Sequence, residues 1–489
     1  MTEIEERLEE IERLGLGRRL RLISGPQGPT VLLDGRPVLL LCSNNYLGLA
    51  DHPRVREAAA DAAMRWGVGA GASRLVSGTM TIHRRLEERL ADFEGTEAAL
   101  LFGSGYLANL GVISALAGDG DAVFSDELNH ASIVDGCRLA RAEVIVYRHR
   151  DVEHLAWLLG KHSRGTPLIV TDSVFSMDGD VAPLAEIAAL AEEFGARMVV
   201  DEAHATGNLG PGGAGAVAEA GLEDVVDVIV GTLGKALGSY GAYVCAGEET
   251  IRFLINTSRP LIFSTAPSPP AVAGALAALE LLRERPHRVQ RLHANARALR
   301  GGLAAEGFPL EISDMPIAPL IVGDASAAVR LCQAALELGV FAQAIRPPTV
   351  PDGTSRLRLA AMASHTPSEL ELAAAALGEA ARAVGIAPEE LAAPGPERVV
   401  AEPYEPEPAY AYAEMQRLRD APFDLERDGE LPDFLTAPGR ERWLAPTEQY
   451  DEGEEPAVAA GAEAVAARRA AEDDPAPGPH APFDHAHAA

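Results

Sequence analysis

Between residues 95 and 247 of this 489-residue chain, short apolar runs alternate with stretches whose apolar positions recur every three or four residues. Seven runs, AALLFGS, DAVFS, EVIVYRH, PLIVTDS, RMVVDEAH, DVIVGTL and GAYVCAG, are mostly unalternating and rich in Val and Ile. Runs of that kind predict strands buried on both faces. Helical segments such as LAEIAALAEEFG between several of them predict an α/β domain with a largely parallel sheet. A helical stretch from about 268 to 306 follows. It holds the longest apolar run, AVAGALAALELL at 271–282, which is too short to span a bilayer and reads as a packed helix. IAPLIVG, VFAQAI and SRLRLAA, separated by helical patterns, predict a smaller α+β unit ending near residue 393. At the start of the chain, Ile4, Leu8 and Ile11 have the spacing of an amphipathic helix. The expected organisation is therefore an N-terminal helix with short strands (1–50), a large α/β domain (51–285), a small C-terminal α+β domain (286–393) and a tail (394–489).

Composition changes this picture mainly at the end. From 391 onward, 22 acidic residues face eight arginines, so nearly half of the net charge of −30 lies there, among many Pro and Ala. Such a segment reads as a disordered acidic tail, and His480, His485 and His487 read as low-complexity sequence rather than a metal set. The overall negative charge argues against a nucleic-acid partner, which would need a basic patch. The opening MTEIEERLEEIERL lacks the basic-then-apolar order of a secretory signal. Cys42, Cys137, Cys245 and Cys332 lie far apart and form no C-x-x-C pair, which suits a reducing cytoplasm and offers no metal site.

Candidate chemistry starts from a scarcity. Of the 42 basic residues only Lys161 and Lys235 are lysines, and Lys235 sits in the glycine-rich GTLGKALGSYGAY. Arginine stays protonated, whereas a lysine amine can lose its proton and attack a carbonyl. Two other readings fail. DEAH at 201–204 would suit a nucleotide-dependent helicase only with a phosphate loop, but Lys161 is followed by His162 and Lys235 by Ala236. GVGAGASR at 67–74 has no complete G-x-G-x-x-G. What remains is a set of polar residues at the carboxyl ends of apolar strands, where open α/β sheets place ligands. In LLFGSGYLANLGV, the amides of Gly105 and Tyr106 at a helix N-terminus would hold a phosphate. MVVDEAH ends a strand on Asp201, with His204 a turn later, and a buried carboxylate needs a cationic partner such as a protonated pyridine nitrogen. TDSVFSMDGD and DELNHAS, which carries His130, end two more strands. Together with the lone lysine these describe a pyridoxal-phosphate pocket.

The chain resembles the α-oxoamine synthases, pyridoxal 5'-phosphate enzymes of fold type I. The resemblance covers roughly residues 15–390 and rests on CSNNYLGLADHP, GSGYLANLGV, DELNHASIVDG, DSVFSMDGDVAPL, VVDEAHATGNLG, GTLGKALGSYGAYV, FSTAPSPP and IRPPTVPDGTSRLRLAA in family order. It implies a seven-stranded, mostly parallel sheet and a homodimer with shared active sites. It also implies decarboxylative condensation of an amino acid with an acyl-CoA. By this resemblance Lys235 is the Schiff-base lysine and the base for the α-proton, and Asp201 keeps the pyridine nitrogen protonated. His204 and Ser176 lie near the ring's phenolic oxygen, and His130 stacks on the ring. Thr232 joins Gly105 and Tyr106 around the phosphate, which Thr265 reaches from the partner subunit. Arg358 holds the amino-acid carboxylate and Asn44 lines the same pocket. Strand alternation puts Arg356 on the same face as Arg358, so the sequence pattern does not choose between them. AIRPPTVP and RLVSG are most similar to members of biotin biosynthesis that join L-alanine to pimeloyl-CoA. PQGPTVLLDGRPVLLLCSNNYLGL is equally similar to members that join glycine to acetyl-CoA.

Overall fold

The computed structural model describes residues 2–162, 165–310 and 312–393, so the expected tail, 394–489, lies outside the described residues. All seven apolar runs form strands: β1 Ala98–Phe102, β2 Ala122–Asp126, β3 Glu143–Tyr147, β4 Pro167–Asp172, β5 Arg197–Asp201, β6 Val228–Thr232 and β7 Ala242–Ala246. They make one sheet in the order β1-β7-β6-β5-β4-β2-β3. Only β7 runs antiparallel to its neighbours, pairing with β1 and β6. The remaining pairs are parallel, and the β4–β5 register sets Asp172 beside Asp201 at the carboxyl end.

The unalternating pattern has a simple cause. Phe124, Ile169, Val200 and Ile229 pack into a core on one face of the sheet, while Val123, Leu168, Val199 and Val228 pack into a separate core on the other. Burying both faces leaves the strand interiors mostly apolar, whereas the edge strand β3 keeps Val144 and Val146 exposed. The helical stretch after residue 268 is two helices, Pro269–Glu284 and His287–Ala305, because Pro286 cannot donate the hydrogen bond that would continue the first.

The smaller sheet contains β8 Ile317–Gly323, β9 Gln343–Ile345 and β10 Ser355–Ala360, with β10 central and antiparallel to both. Here the single strand expected from VFAQAI divides. Val340–Phe341 pairs in parallel with Arg36–Leu40 in an N-terminal sheet, while β9 pairs with β10. The break falls at Ala342, whose carbonyl accepts from Cys332 Sγ at 2.9 Å. The N-terminal helix forms over Glu3–Arg13 behind a Thr2/Glu5 capping box, with Ile4, Leu8 and Ile11 exposed. Among the described residues no helix is long and apolar enough to cross a membrane.

Candidate active site

The carboxyl ends of β2, β4, β5 and β6 converge on one polar cluster. Lys235 stands in the tight turn between β6 and β7, closed by Gly238 N–H to the Lys235 carbonyl (2.9 Å) and Ser239 N–H to the Leu233 carbonyl (2.8 Å). Gly238 has φ +59° and lies so close to residues 49–50 that a Cβ would fall 2.4 Å from Ala50 N. This close approach brings the 44–50 segment against the lysine turn.

Lys235 Nζ is 2.8 Å from His204 Nε2, and His204 Nδ1 is 2.7 Å from the Tyr46 hydroxyl. Tyr46 also takes a hydrogen bond from Arg358 Nη2 (3.1 Å) and donates to Asn44 Oδ1 (3.3 Å). Donor counting orders this chain. If the tyrosine proton goes to Asn44, His204 donates from Nδ1 and accepts the lysine N–H at Nε2. Loss of hydration, then the charges of Lys235, Arg358 and His130, hold His204 well below the usual imidazole range, so it is neutral. Burial likewise lowers Lys235 to about 8, opposed by Asp201 and Asp172 and assisted by Arg358. An amine at that value is neutral often enough near pH 7 to act as a nucleophile.

Asp201 is 5% exposed. Its carboxylate accepts from Ala203 N–H (2.8 Å) and Asn109 Nδ2 (2.6 Å), both neutral donors. No cation among the described residues is bonded to it. Asn109 also donates to Ser132 Oγ (2.9 Å), which lies 2.7 Å from His130 Nδ1. The His130 amide donates to Asp172 (2.7 Å), fixing the loop after β2 against β4. Burial and the neighbouring Asp201 raise Asp172 well above the usual carboxylate range. His130 and Ser176 line a cavity of about 870 Å³ walled by one face of the helix Ala131–Leu139 and by the 347–352 loop.

The two arginines of β10 are both buried on one face but differ in partners. Arg356 is ion-paired with Asp178. Arg358 donates to the Ser176 carbonyl and to Tyr46, and no carboxylate among the described residues is paired with it. Its charge is available to an incoming carboxylate.

Gly105 and Tyr106 open the helix Gly105–Leu116 behind Ser104, whose hydroxyl accepts from Leu107 N–H. The first amides of a helix have no partner within it. A Cβ at Gly105 would meet no atom within 4 Å, so that helix end is open. Thr232 bonds within its own turn, donating to the Gly241 carbonyl and accepting from Gly234 N–H (both 3.2 Å). Thr265 stands apart: it is exposed, bridged through its backbone to Ser73, and bonded to none of these groups.

Sequence reasoning missed Tyr46, which joins His204, Arg358 and Asn44, and also Asn109, Ser132 and Asp172. Only Asp172 left a usable signal, as a carboxylate that ends the apolar run PLIVTD just as Asp201 ends its own.

A family model described as aminotransferase class I and II matches residues 36–377. An 8-amino-7-oxononanoate synthase of Geotalea daltonii is 51% identical over 385 residues, spanning 78% of this chain and 98% of its own. Among solved structures, a high-resolution serine palmitoyltransferase with PLP is 36% identical, with a TM-score of 0.75 over 79% of this chain and 98% of that one. The 8-amino-7-oxononanoate synthase of Francisella tularensis is 26% identical, with a TM-score of 0.61 over 71% and 98%.

Proposed function

The chain belongs to the aminotransferase class I and II family, and from that premise we propose that it condenses L-alanine with pimeloyl-CoA, giving 8-amino-7-oxononanoate, CoA and CO₂. It is a pyridoxal-phosphate enzyme, and its residues fit the cofactor. Asp201 is a buried carboxylate bonded only to neutral donors, and the Gly105 helix end is open. Asp201 would face the ring nitrogen, Lys235 the aldehyde, His130 the ring face, and His204 and Ser176 the phenolic oxygen. The amides of Gly105 and Tyr106, with Thr232, would take the phosphate. Thr265 would reach it from a second copy, making the active unit a homodimer.

When bound, pyridoxal phosphate supplies an aldehyde that engages an amine and a protonated ring that withdraws electrons from Cα. The protein does the rest. Arg358 would receive the amino-acid carboxylate and so orient the bonds of Cα for reaction. Lys235 Nζ takes the Cα proton, and its value of about 8 places it where one group can both accept and return a proton near neutrality. Neutral His204 accepts a hydrogen bond from that amine without adding charge beside it. The cavity beside His130 and Ser176 admits the acyl-CoA next to the reacting carbon. The four cysteines remain free thiols, which suits a cytoplasmic enzyme.

The observation that carries this reading is the unbroken chain Lys235–His204–Tyr46–Arg358. It links a poised amine to an arginine that is paired with no carboxylate among the described residues. The test is CoA release by the cofactor-loaded protein with L-alanine plus pimeloyl-CoA, against glycine plus acetyl-CoA. Preference for the first pair is expected. Preference for the second would move the chain to glycine acetyl transfer, with the same residues in the same roles. For the shared site, mixing inactive Lys235→Arg and Thr265→Asp proteins should restore activity that neither shows alone. No recovery would count against Thr265 acting across subunits.

A further inference from the structure

His149 follows β3 and takes no part in the cluster described above, yet both of its ring nitrogens are bonded to carboxylates. Its Nδ1 is 2.9 Å from Asp126 Oδ1 at the end of β2, and its Nε2 is 2.8 Å from Asp180 Oδ2. The Phe175 ring meets the imidazole edge-on, with centroids 4.3 Å apart. Burial disfavours charge on this ring, but the hydrogen bonds and charges of Asp126 and Asp180 prevail and push it up to about 9. It is therefore an imidazolium donating from both nitrogens.

The two carboxylates belong to two different loops. Asp126 begins the loop to His130: its Oδ1 also accepts from Leu128 N–H (2.9 Å), and its Oδ2 from Arg150 N–H (2.9 Å). Asp180 lies on the returning arm of the hairpin that carries Ser176. That hairpin is closed by Phe175 N–H to the Asp180 carbonyl (3.0 Å), Gly179 N–H to the Phe175 carbonyl (2.8 Å) and a Val174–Val181 bridge. Arg150 also donates to Asp180 at 3.2 Å, reinforcing the same tie. The hairpin in turn sets the substrate arginine, because the Ser176 carbonyl accepts from Arg358 Nε.

We infer that His149 is a positioning residue for the reaction, clamping the His130 loop to the Ser176 hairpin and, through the Ser176 carbonyl, aiming Arg358 at the amino-acid carboxylate. The inference rests on the reading of Arg358 and Ser176 given under Proposed function. The clamp leaves Asp201, Lys235 and the Gly105 helix end untouched, so on its loss the cofactor stays bound, while the His130 loop and the Ser176 hairpin that it joins shift against both the ring and the substrate.

The test is steady-state kinetics of the cofactor-loaded His149→Gln protein with L-alanine and pimeloyl-CoA, alongside cofactor absorbance and thermal midpoint. Glutamine can reach one carboxylate but not both. The L-alanine KM should rise about tenfold, within what a small displacement of a positioned group produces. The change in kcat should be smaller, with full cofactor occupancy. Asp180→Ala breaks the clamp from the hairpin side and should move the same KM. The double variant should fall short of the sum of the two single effects, since the His149–Asp180 bond is common to both. A lowered thermal midpoint with wild-type KM values in both single variants would overturn the inference and leave His149 a purely structural residue. Additive effects in the double variant would do the same. Failure of the wild-type protein to turn over these substrates would instead strike the functional reading.

Discussion

Tyr46 carries more of the site's polar order than any residue singled out by sequence, because one hydroxyl serves His204, Arg358 and Asn44 at once. Tyr46→Phe keeps the ring and removes that junction, leaving a buried imidazole nitrogen and a guanidinium N–H without their partner. Each such loss costs about 1–3 kcal/mol, so kcat/KM for L-alanine should fall about tenfold or more. A value within a factor of two of wild type would show that the chain of bonds does not matter to turnover. Lys235→Arg is the sharper change. It keeps the cation but cannot form an imine, so turnover should disappear while the thermal midpoint stays close to wild type. CoA release at the native rate would dismiss the lysine's role. Lys235 also predicts a pH dependence. With its amine lowered to about 8, the neutral form grows as pH rises, so cofactor-free protein should load pyridoxal phosphate faster from pH 6 to 9, with the rise centred near 8. A rate flat across that interval would contradict a buried amine.

The turn between β6 and β7 is the element through which backbone geometry reaches the chemistry. Gly238→Ala forces a side chain into a left-handed conformation and against Ala50 N, at a cost of more than about 1 kcal/mol. It should lower both the thermal midpoint and cofactor occupancy. Gly120→Ala is the control: φ is +92° there, but a Cβ would meet nothing within 4 Å, and the residue precedes β2 at the opposite end of the sheet. It should lower the midpoint and spare occupancy; equal losses of occupancy would mean that global stability, not the turn, governs cofactor binding. Elements of this kind also show what a sequence can and cannot disclose. Six of the seven strands were legible because burial on both faces writes itself into consecutive residues, and the edge strand β3, exposed at Val144 and Val146, through its β-branched residues. Asp201, His204 and His130 were legible because they end such runs. VFAQAI misled because it is one local pattern shared between two sheets, and the break at Ala342 is decided by the edges that receive each half. Tyr46 and Asn109 stayed hidden for a related reason. Tyr46 meets His204 across 158 residues and Arg358 across 312, and Asn109 meets Asp201 across 92, so only the closed fold makes them neighbours.

At the scale of the whole molecule, two buried carboxyls to which no catalytic role is given, Glu94 and, next to Asp201 in the chain, Glu202, make stability depend on pH. Glu94 is 2% exposed and takes a hydrogen bond from the Tyr243 hydroxyl at 2.5 Å; Tyr243 in turn lies 3.0 Å from Thr206 Oγ1. Glu202 is fully buried and accepts from Ala216 N–H (2.9 Å) and Val217 N–H (2.8 Å). Burial raises Glu94 to about 8, with Glu202 adding to the rise despite the tyrosine's hydrogen bond, and raises Glu202 to about 7. The sign follows from proton counting. Between the unfolded value of about 4.5 and the folded one, the native state holds a proton that the unfolded chain has released, so stability falls as pH climbs through that interval. A net charge of −30 acts in the same direction, since each further ionisation adds to self-repulsion. Glu94→Gln resembles the protonated carboxyl in shape and cannot ionise. Its thermal midpoint should match wild type near pH 5 and exceed it progressively as pH rises from 6 toward 8, because wild type alone must take up a proton on folding or bury a charge. The comparison isolates Glu94, since every other titrating group is common to both proteins. Parallel midpoint curves across that range would mean that Glu94 is solvated or paired in the folded state, and that the pH response of this fold originates elsewhere.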